Sequence, residues 1–297
     1  MAEAQRIIGA CVRLFREQQK RTQESLAAQA GISYQYLSGI EKGKENLSMQ
    51  VLEQLSAALG VSLRILVSTA YDNDAGHLPP LVESGNFRKE VPLPPGMTYE
   101  QLQATIDLTQ SIVHRLNRNM IAEIGKTLQS LIQGNNFSGL VSNVLTDSFD
   151  QCSAYKHNHD QKYPDLIAND TEGAKVEGLE VKTTMNVGKG GESHNGHSGW
   201  HVIACYNFLG NGDIRFVHVM FAVLNSHQHA KAPDWKYTGS SVNAETGRRR
   251  TETFSTNAFG TTKRRDASAY LDPDVVNFSR WRPQRVGAVP SFSIWAS

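Results

Sequence analysis

The apolar residues of this 297-residue chain keep a helical spacing over residues 5–69 and again from Leu102 into "NFSGLVSNVLTDSF", and only then regroup into short strand-like runs. That change of period constrains the fold more than any single motif. A helix buries one apolar stripe and a strand one apolar face, so the two patterns build separate layers or separate domains. At 39% hydrophobic residues the chain can bury a sizeable core, and its length favours two domains over one. The pattern predicts an all-α domain over residues 1–70, a linker over 71–97 and an α/β domain with a mixed central sheet over 98–297.

Within residues 5–69, Ile7, Ile8, Val12 and Leu14 outline a first amphipathic helix, and Thr22 with Ser25 offers caps to a second, "QESLAAQA". The turn "GIS" leads into a third, "YQYLSGIEKG". The fourth, "SMQVLEQLSAALGV", ends at Gly60 near the usual glycine cap. Two short helices joined by a short glycine-containing turn describe a helix-turn-helix. Residues 22–63, "TQESLAAQAGISYQYLSGIEKGKENLSMQVLEQLSAALGVSL", resemble that of the phage-repressor/XRE family. The matching landmarks are Gln23, the Ala-Gly-Ile-Ser turn, Ile-Glu-Lys-Gly and Ala-Leu-Gly-Val-Ser. The resemblance implies that the third helix enters the major groove of duplex DNA. Ser33, Tyr34, Gln35 and Ser38 would face DNA, with Gln23 and Lys44 near phosphates. A helical bundle used only for protein contacts is the alternative.

Residues 71–97 collect Pro, Gly, Asn and Asp without periodicity, hence the linker. Thr98 and Gln101 then make a capping-box pattern. Apolar residues follow at Leu102, Ile106, Val113, Leu116, Met120, Ile124, Leu128 and Leu131, giving one long helix or two, for core packing or a dimer contact. "NFSGLVSNVLTDSF" continues as a helix. Strand-like runs come next: "DLIAN", "KVEGLEVKTT", "WHVIACYNFL" and "IRFVHVMFAVL".

Composition narrows the setting. No apolar run is long enough to span a bilayer, and the N-terminus lacks a signal-peptide cleavage site, so a soluble, cytoplasmic protein is expected. Cys11, Cys152 and Cys205 are odd in number and far apart, which excludes a disulfide framework and a four-cysteine zinc site. Lys and Arg outnumber Asp and Glu eleven to six over residues 231–297, an excess suited to a polyanion.

The chemistry concentrates in "YPDLIANDTEGAKVEGLEVKTT". On a strand, Glu180 and Lys182 point to one face and Val181 to the other. A carboxylate and an ammonium side by side in an apolar run suit metal chemistry. Asp165, Glu180 and the Val181 carbonyl provide the oxygen ligands that Mg2+ prefers, and Lys182 would position or help deprotonate an attacking water. A surface salt bridge between Glu180 and Lys182, with Asp165 opening a turn, is the plainer alternative. Pro164-Asp165 followed by Glu180-Val181-Lys182 resembles the PD-(D/E)XK nuclease superfamily, the fold of most type II restriction endonucleases. That family often adds an acidic residue from the preceding helix. Ser138 stands where a glutamate is frequent, leaving Glu123, Asp147 and Asp150 as candidates.

Two further constellations stand out. His194, His197 and His201, with His157 and His159, have metal-like spacings, but the segment is too glycine-rich for a helix, so a loop approaching the active site or DNA is expected. In "GRRRTETFSTNAFGTTKRRDASAY", Arg248, Arg249, Arg250, Lys263, Arg264 and Arg265 are candidate DNA contacts. A solvated basic hairpin would have the same composition.

The expectation is therefore a Mg2+-dependent, sequence-specific type II restriction endonuclease with a repressor-like N-terminal domain, acting on double-stranded DNA as a homodimer. Its alternatives are a transcriptional regulator whose second domain senses or dimerises, and a defence nuclease that responds to DNA structure or modification.

Overall fold

The computed structural model of the protein describes residues 3–71, 78–159, 163–168, 178–188, 193–194, 196–225, 233–239, 242, 247 and 254–296. They fall into two compact units that divide between Leu81 and Val82. No single described helix is long and apolar enough to cross a membrane.

The first unit contains α1 (Glu3–Gln18), α2 (Gln23–Ala30), α3 (Tyr34–Glu41), α4 (Met49–Leu59) and α5 (Leu63–Tyr71). Thr22 caps α2 as the sequence predicts, and the structure adds Ser33 and Ser48 as caps of α3 and α4. Thr22 accepts the Ser25 N–H, Ser33 that of Tyr36 and Ser48 that of Val51, at 3.1, 3.1 and 3.2 Å, each such cap being worth about 1 kcal/mol. Gly31 and Gly60 end α2 and α4 in the left-handed region, both at φ 68°. Val12, Phe15, Leu26, Leu37, Ile40, Leu55, Ile65 and Leu66 form the core. Helix α5 goes beyond the four expected helices, and its residues Ile65 and Leu66 are fully buried.

The second unit opens with a correction to the linker at 71–97. Residues 72–77 lie outside the described residues, but 82–97 belong to this unit. Val82, Val91 and Met97 are buried in its core, Phe87 bridges to Tyr270, and the Arg88 N–H donates to the Ala269 carbonyl at 2.9 Å. This strap has no periodicity because single apolar residues and backbone bonds hold it, not a regular face.

Helices α6 (Tyr99–Ile124), α7 (Leu128–Leu131) and α8 (Gly134–Cys152) follow, and α6 begins with the capping box of Thr98 and Gln101. Gly125, in the left-handed region, separates the two pieces of the long apolar pattern. The strands are β1 (Tyr155–His157), β2 (Leu166–Ala168), β3 (Gly178–Thr184), β4 (Ser193–His194), β5 (Gly199–Phe208), β6 (Ile214–Leu224), β7 (Trp235–Tyr237), β8 (Phe254–Thr256) and β9 (Ser268–Leu271); α9 (Ala258–Asp266) precedes β9. The main sheet runs β1-β2-β3-β5-β6-β9, and a smaller one runs β4-β8-β7. β3 and β5 are parallel and the other pairs of the main sheet antiparallel, so the sheet is mixed as expected.

One face of the main sheet packs Leu179, Val181, Val202, Tyr206 and Phe221 against Leu102, Ile106, Val141, Leu145 and Phe149 from α6 and α8. The opposite face packs Ile203, Cys205 and Met220 against Val276, Trp281 and Trp295 of the C-terminal segment. Buried polar side chains fix α6 to the sheet. Gln110 accepts the Phe216 N–H at 2.7 Å, and the Asp213 carboxylate meets His114 Nδ1 at 2.8 Å and the Asn117 amide at 2.9 Å.

Candidate functional site

Asp165 precedes β2, whose Leu166 lies opposite Leu179 of β3, and this antiparallel pairing brings the two halves of the motif together. Gly178 makes the approach possible, because a Cβ there would stand 1.9 Å from Cγ of Pro164. Asn158 holds the motif from β1's side. Its N–H donates to the Asp165 carbonyl at 2.9 Å and its amide to the Pro164 carbonyl at 3.0 Å.

The side chains then converge. Asp165 Oδ2 accepts the Val181 N–H at 2.8 Å. Lys182 Nζ lies 2.7 Å from Glu180 Oε1 and 3.8 Å from Asp165 Oδ2. Glu180 is buried, whereas the side chains of Asp165 and Lys182 are 37% and 33% exposed, so the cluster opens to solvent on one side. The two carboxylates converge on the Lys182 ammonium, one of them buried and one part-exposed, and carboxylate oxygens of this kind are the donors that suit Mg2+. Asp165, Glu180 and the Val181 carbonyl would hold the ion. That carbonyl accepts the Ser142 hydroxyl at 3.2 Å and retains a second lone pair.

Helix α8 borders the cluster. The Ser138 hydroxyl pairs with that of Tyr206 at 3.0 Å, and its carbonyl accepts the Thr183 hydroxyl at 2.8 Å. The position expected for an extra acid is therefore beside β3, but a serine fills it. Glu123 is exposed at the end of α6, Asp147 accepts the Gln151 amide at 2.5 Å, and Asp150 pairs with Lys156 at 2.9 Å. Among the described residues no group of three or more His, Cys, Asp and Glu side chains is arranged to hold a metal ion. Ser142 was not singled out from the sequence, although its place one helical turn after Ser138 puts both on one face.

The histidines divide among different elements. His201 belongs to β5 and sits in register with Glu180. His197, in the connection before β5, stacks on Tyr163 with ring centroids 4.0 Å apart, and His157 lies 4.4 Å from His159.

Of the basic candidates at 263–265, Arg264 alone is overturned by its surroundings, and Lys263 is exposed. All three lie on a helix, α9, and not on a hairpin. Arg264 is fully buried with its guanidinium over Trp235, which removes it from any DNA surface. Lys263 pairs with Asp234 at 2.6 Å. Arg265 lies over Trp281 and donates to the Gly188 carbonyl at 3.0 Å and to Gln284 at 2.8 Å. Arg248, Arg249 and Arg250 lie outside the described residues.

In the first unit Tyr34, Gln35 and Lys44 are exposed, and Ser38 is half-buried. The Ser33 hydroxyl is engaged in capping α3. Gln23 donates its amide to Glu41 at 2.6 Å, and the same carboxylate takes both Nε and Nη2 of Arg16, at 2.6 and 2.8 Å. Gln23 thus orients a buried ion pair at the start of α2.

Residues 12–66 match the helix-turn-helix family model. The chain belongs to the helix-turn-helix family. Over 56 residues it is 45% identical to the control protein C.MunI of a Mycoplasma species, spanning 19% of this chain and 76% of that protein. It is 34% identical over 74 residues to the HTH-type transcriptional regulator y4dJ of Sinorhizobium fredii, spanning 25% of this chain and 96% of the regulator. Among solved structures, the restriction-modification controller protein C.AhdI from Aeromonas hydrophila is 31% identical, with 21% of this chain and 94% of that chain covered and a TM-score of 0.21.

Proposed function

We propose that the protein is a Mg2+-dependent, sequence-specific endonuclease that hydrolyses phosphodiester bonds of double-stranded DNA, with a PD-(D/E)XK-type second unit and a helix-turn-helix unit that binds the same DNA. The observation that carries this reading is the convergence of Asp165, Glu180 and Lys182, with a buried carboxylate beside a part-exposed one and a lysine between them. When bound, Mg2+ would supply Lewis acidity at the scissile phosphate. Asp165 is oriented by the Val181 N–H, and Glu180 is fixed by β3. Lys182 holds a proton at Nζ where it can meet the attacking water or the charge that develops on phosphorus oxygens. Cutting both strands of a two-fold symmetric site would require a homodimer.

The relatives favour a second reading, a transcriptional regulator, because y4dJ, named as an uncharacterized HTH-type transcriptional regulator, matches over nearly its whole length. In that reading Tyr34 and Gln35 bind an operator and the second unit dimerises or senses.

Incubation of the purified protein with unmethylated and methylated phage DNAs, with Mg2+ or EDTA and alongside Asp165→Ala, separates the two. Discrete Mg2+-dependent bands lost in the variant support the endonuclease. Retained binding to one DNA with no cleavage of any supports the regulator.

A further inference from the structure

We infer that Tyr163 is a positioning residue, which fixes Asp165 relative to Glu180 by tying the Pro-Asp segment to the chain that enters β5. The inference rests on the endonuclease reading and concerns how its metal-binding edge is held.

Asp165 precedes β2 and Glu180 lies on β3, and a metal ion shared between them requires their separation to be fixed. Several contacts run around that gap. The Tyr163 ring stacks on His197, 4.0 Å between centroids and 22° between planes. Its hydroxyl donates to the Ser198 carbonyl. Gly199 allows this approach, since a Cβ there would lie 2.6 Å from the hydroxyl oxygen, and its φ of 122° is one that favours glycine. The His197 carbonyl in turn accepts the Trp235 indole N–H at 3.1 Å. Two residues past Gly199, His201 packs between Tyr163 and Trp235, at 6.2 and 5.6 Å, and stands in register with Glu180. The path from Asp165 through Tyr163, the 196–198 connection and His201 to Glu180 is therefore continuous. It bypasses residues 169–177, by which the sequence joins the two strands.

The test uses the full chain with Tyr163→Phe, which keeps the stack and loses the hydroxyl, and Tyr163→Ala, which loses both. Mg2+ binding is measured by titration calorimetry without DNA, single-turnover cleavage at limiting and saturating Mg2+, and DNA binding with Ca2+ in place of Mg2+. Tyr163→Ala is expected to weaken Mg2+ binding roughly 10- to 100-fold, as loss of an outer support to a ligand does, with Tyr163→Phe between it and wild type. Cleavage should fall most at limiting Mg2+, while DNA affinity stays unchanged. Wild-type Mg2+ affinity in Tyr163→Ala overturns the inference, whether or not the protein cuts DNA. Should Tyr163→Ala not fold, wild-type affinity in Tyr163→Phe overturns it equally. Wild-type protein that binds Mg2+ and loses it on Asp165→Ala, yet cleaves no DNA, overturns the endonuclease reading and leaves the tether standing. A wild type that binds no Mg2+ overturns both.

Discussion

Lys182 Nζ lies 2.7 Å from Oε1 of Glu180, a residue only 3% exposed. A buried carboxylate loses solvation, and a paired cation restores part of that loss. Lys182→Ala should therefore abolish cleavage while sparing DNA binding. Its unfolding midpoint without Mg2+ should also fall, by an amount equivalent to about 1–2 kcal/mol because the lysine is one-third exposed, and added Mg2+ should recover it. Calorimetric unfolding with and without Mg2+ checks this. Cleavage at the wild-type rate would sink the catalytic assignment.

Gly178 permits Pro164 to lie against β3, and a methyl group there would meet Pro164 Cγ at 1.9 Å and the Leu166 carbonyl at 2.9 Å. Gly178→Ala should force the Pro-Asp segment away from β3, destabilising the protein by roughly 1–3 kcal/mol, as overpacking does. Because the displaced segment carries Asp165, Mg2+ affinity should fall as well. Denaturant melts and Mg2+ titration together measure the two effects.

Much of this was legible in the sequence where local chemistry decides. Thr22, Gly60 and the Thr98–Gln101 box all cap as expected, because a cap depends on three or four neighbouring residues. The Glu180–Lys182 pair was legible because alternation along β3 fixes which side chains share a face, whereas the placing of Asp165 beside them was implied only by the resemblance of its Pro-Asp pattern. What escaped depends on long-range packing. Residues 82–97 look like a linker until Ala269 and Tyr270 supply their partners, and Arg264 looks like a DNA contact until Trp235 covers it. Tyr163 carries no signal at all, since His197 and Ser198 lie more than thirty residues further on.

The helix-turn-helix offers a paired prediction. Gln35 is exposed on α3, so Gln35→Ala should leave the melting midpoint unchanged and cost about 1–3 kcal/mol of specific DNA binding. Glu41 instead anchors the buried Arg16 and the Gln23 amide, so Glu41→Ala should destabilise the first unit by about 3–5 kcal/mol. Binding assays and thermal melts on both variants should separate recognition from folding. Equal effects of the two on stability would show that Gln35 is structural.

His218 is fully buried between strands, with Nε2 2.7 Å from the Ser268 hydroxyl and its ring stacked on Trp281. Burial, with Arg265 and Arg88 nearby, pulls its pKa down from 6.5 to about 3. The unfolded chain binds this proton first, so the stability contributed by the neutral ring is present above pH 6.5 and is lost as pH falls toward 3. His218→Gln should flatten the acid limb of the stability profile between those values, measured by urea melts at stepped pH. An unchanged acid limb would assign that loss to other groups.

Asp107 acts at the opposite end of the pH range. It is buried in α6, where its Oδ1 accepts the Val82 N–H at 3.0 Å, and burial pushes its carboxyl up from 3.8 to about 8 against that hydrogen bond and one from the Gln103 side chain. Here the folded state holds the proton more tightly than the unfolded chain. Its contribution is therefore complete below pH 3.8 and is lost as pH rises toward 8. Asp107→Asn keeps an acceptor for Val82 and cannot ionise. The variant should match wild type at pH 4 and exceed it at pH 8 by more than about 1 kcal/mol, given that each unit of pKa shift is worth roughly 1.4 kcal/mol. Parallel denaturant melts at the two pH values test this, and a variant less stable than wild type at pH 8 would mean that the ionised carboxylate is tolerated through a polar contact stronger than the one to Val82.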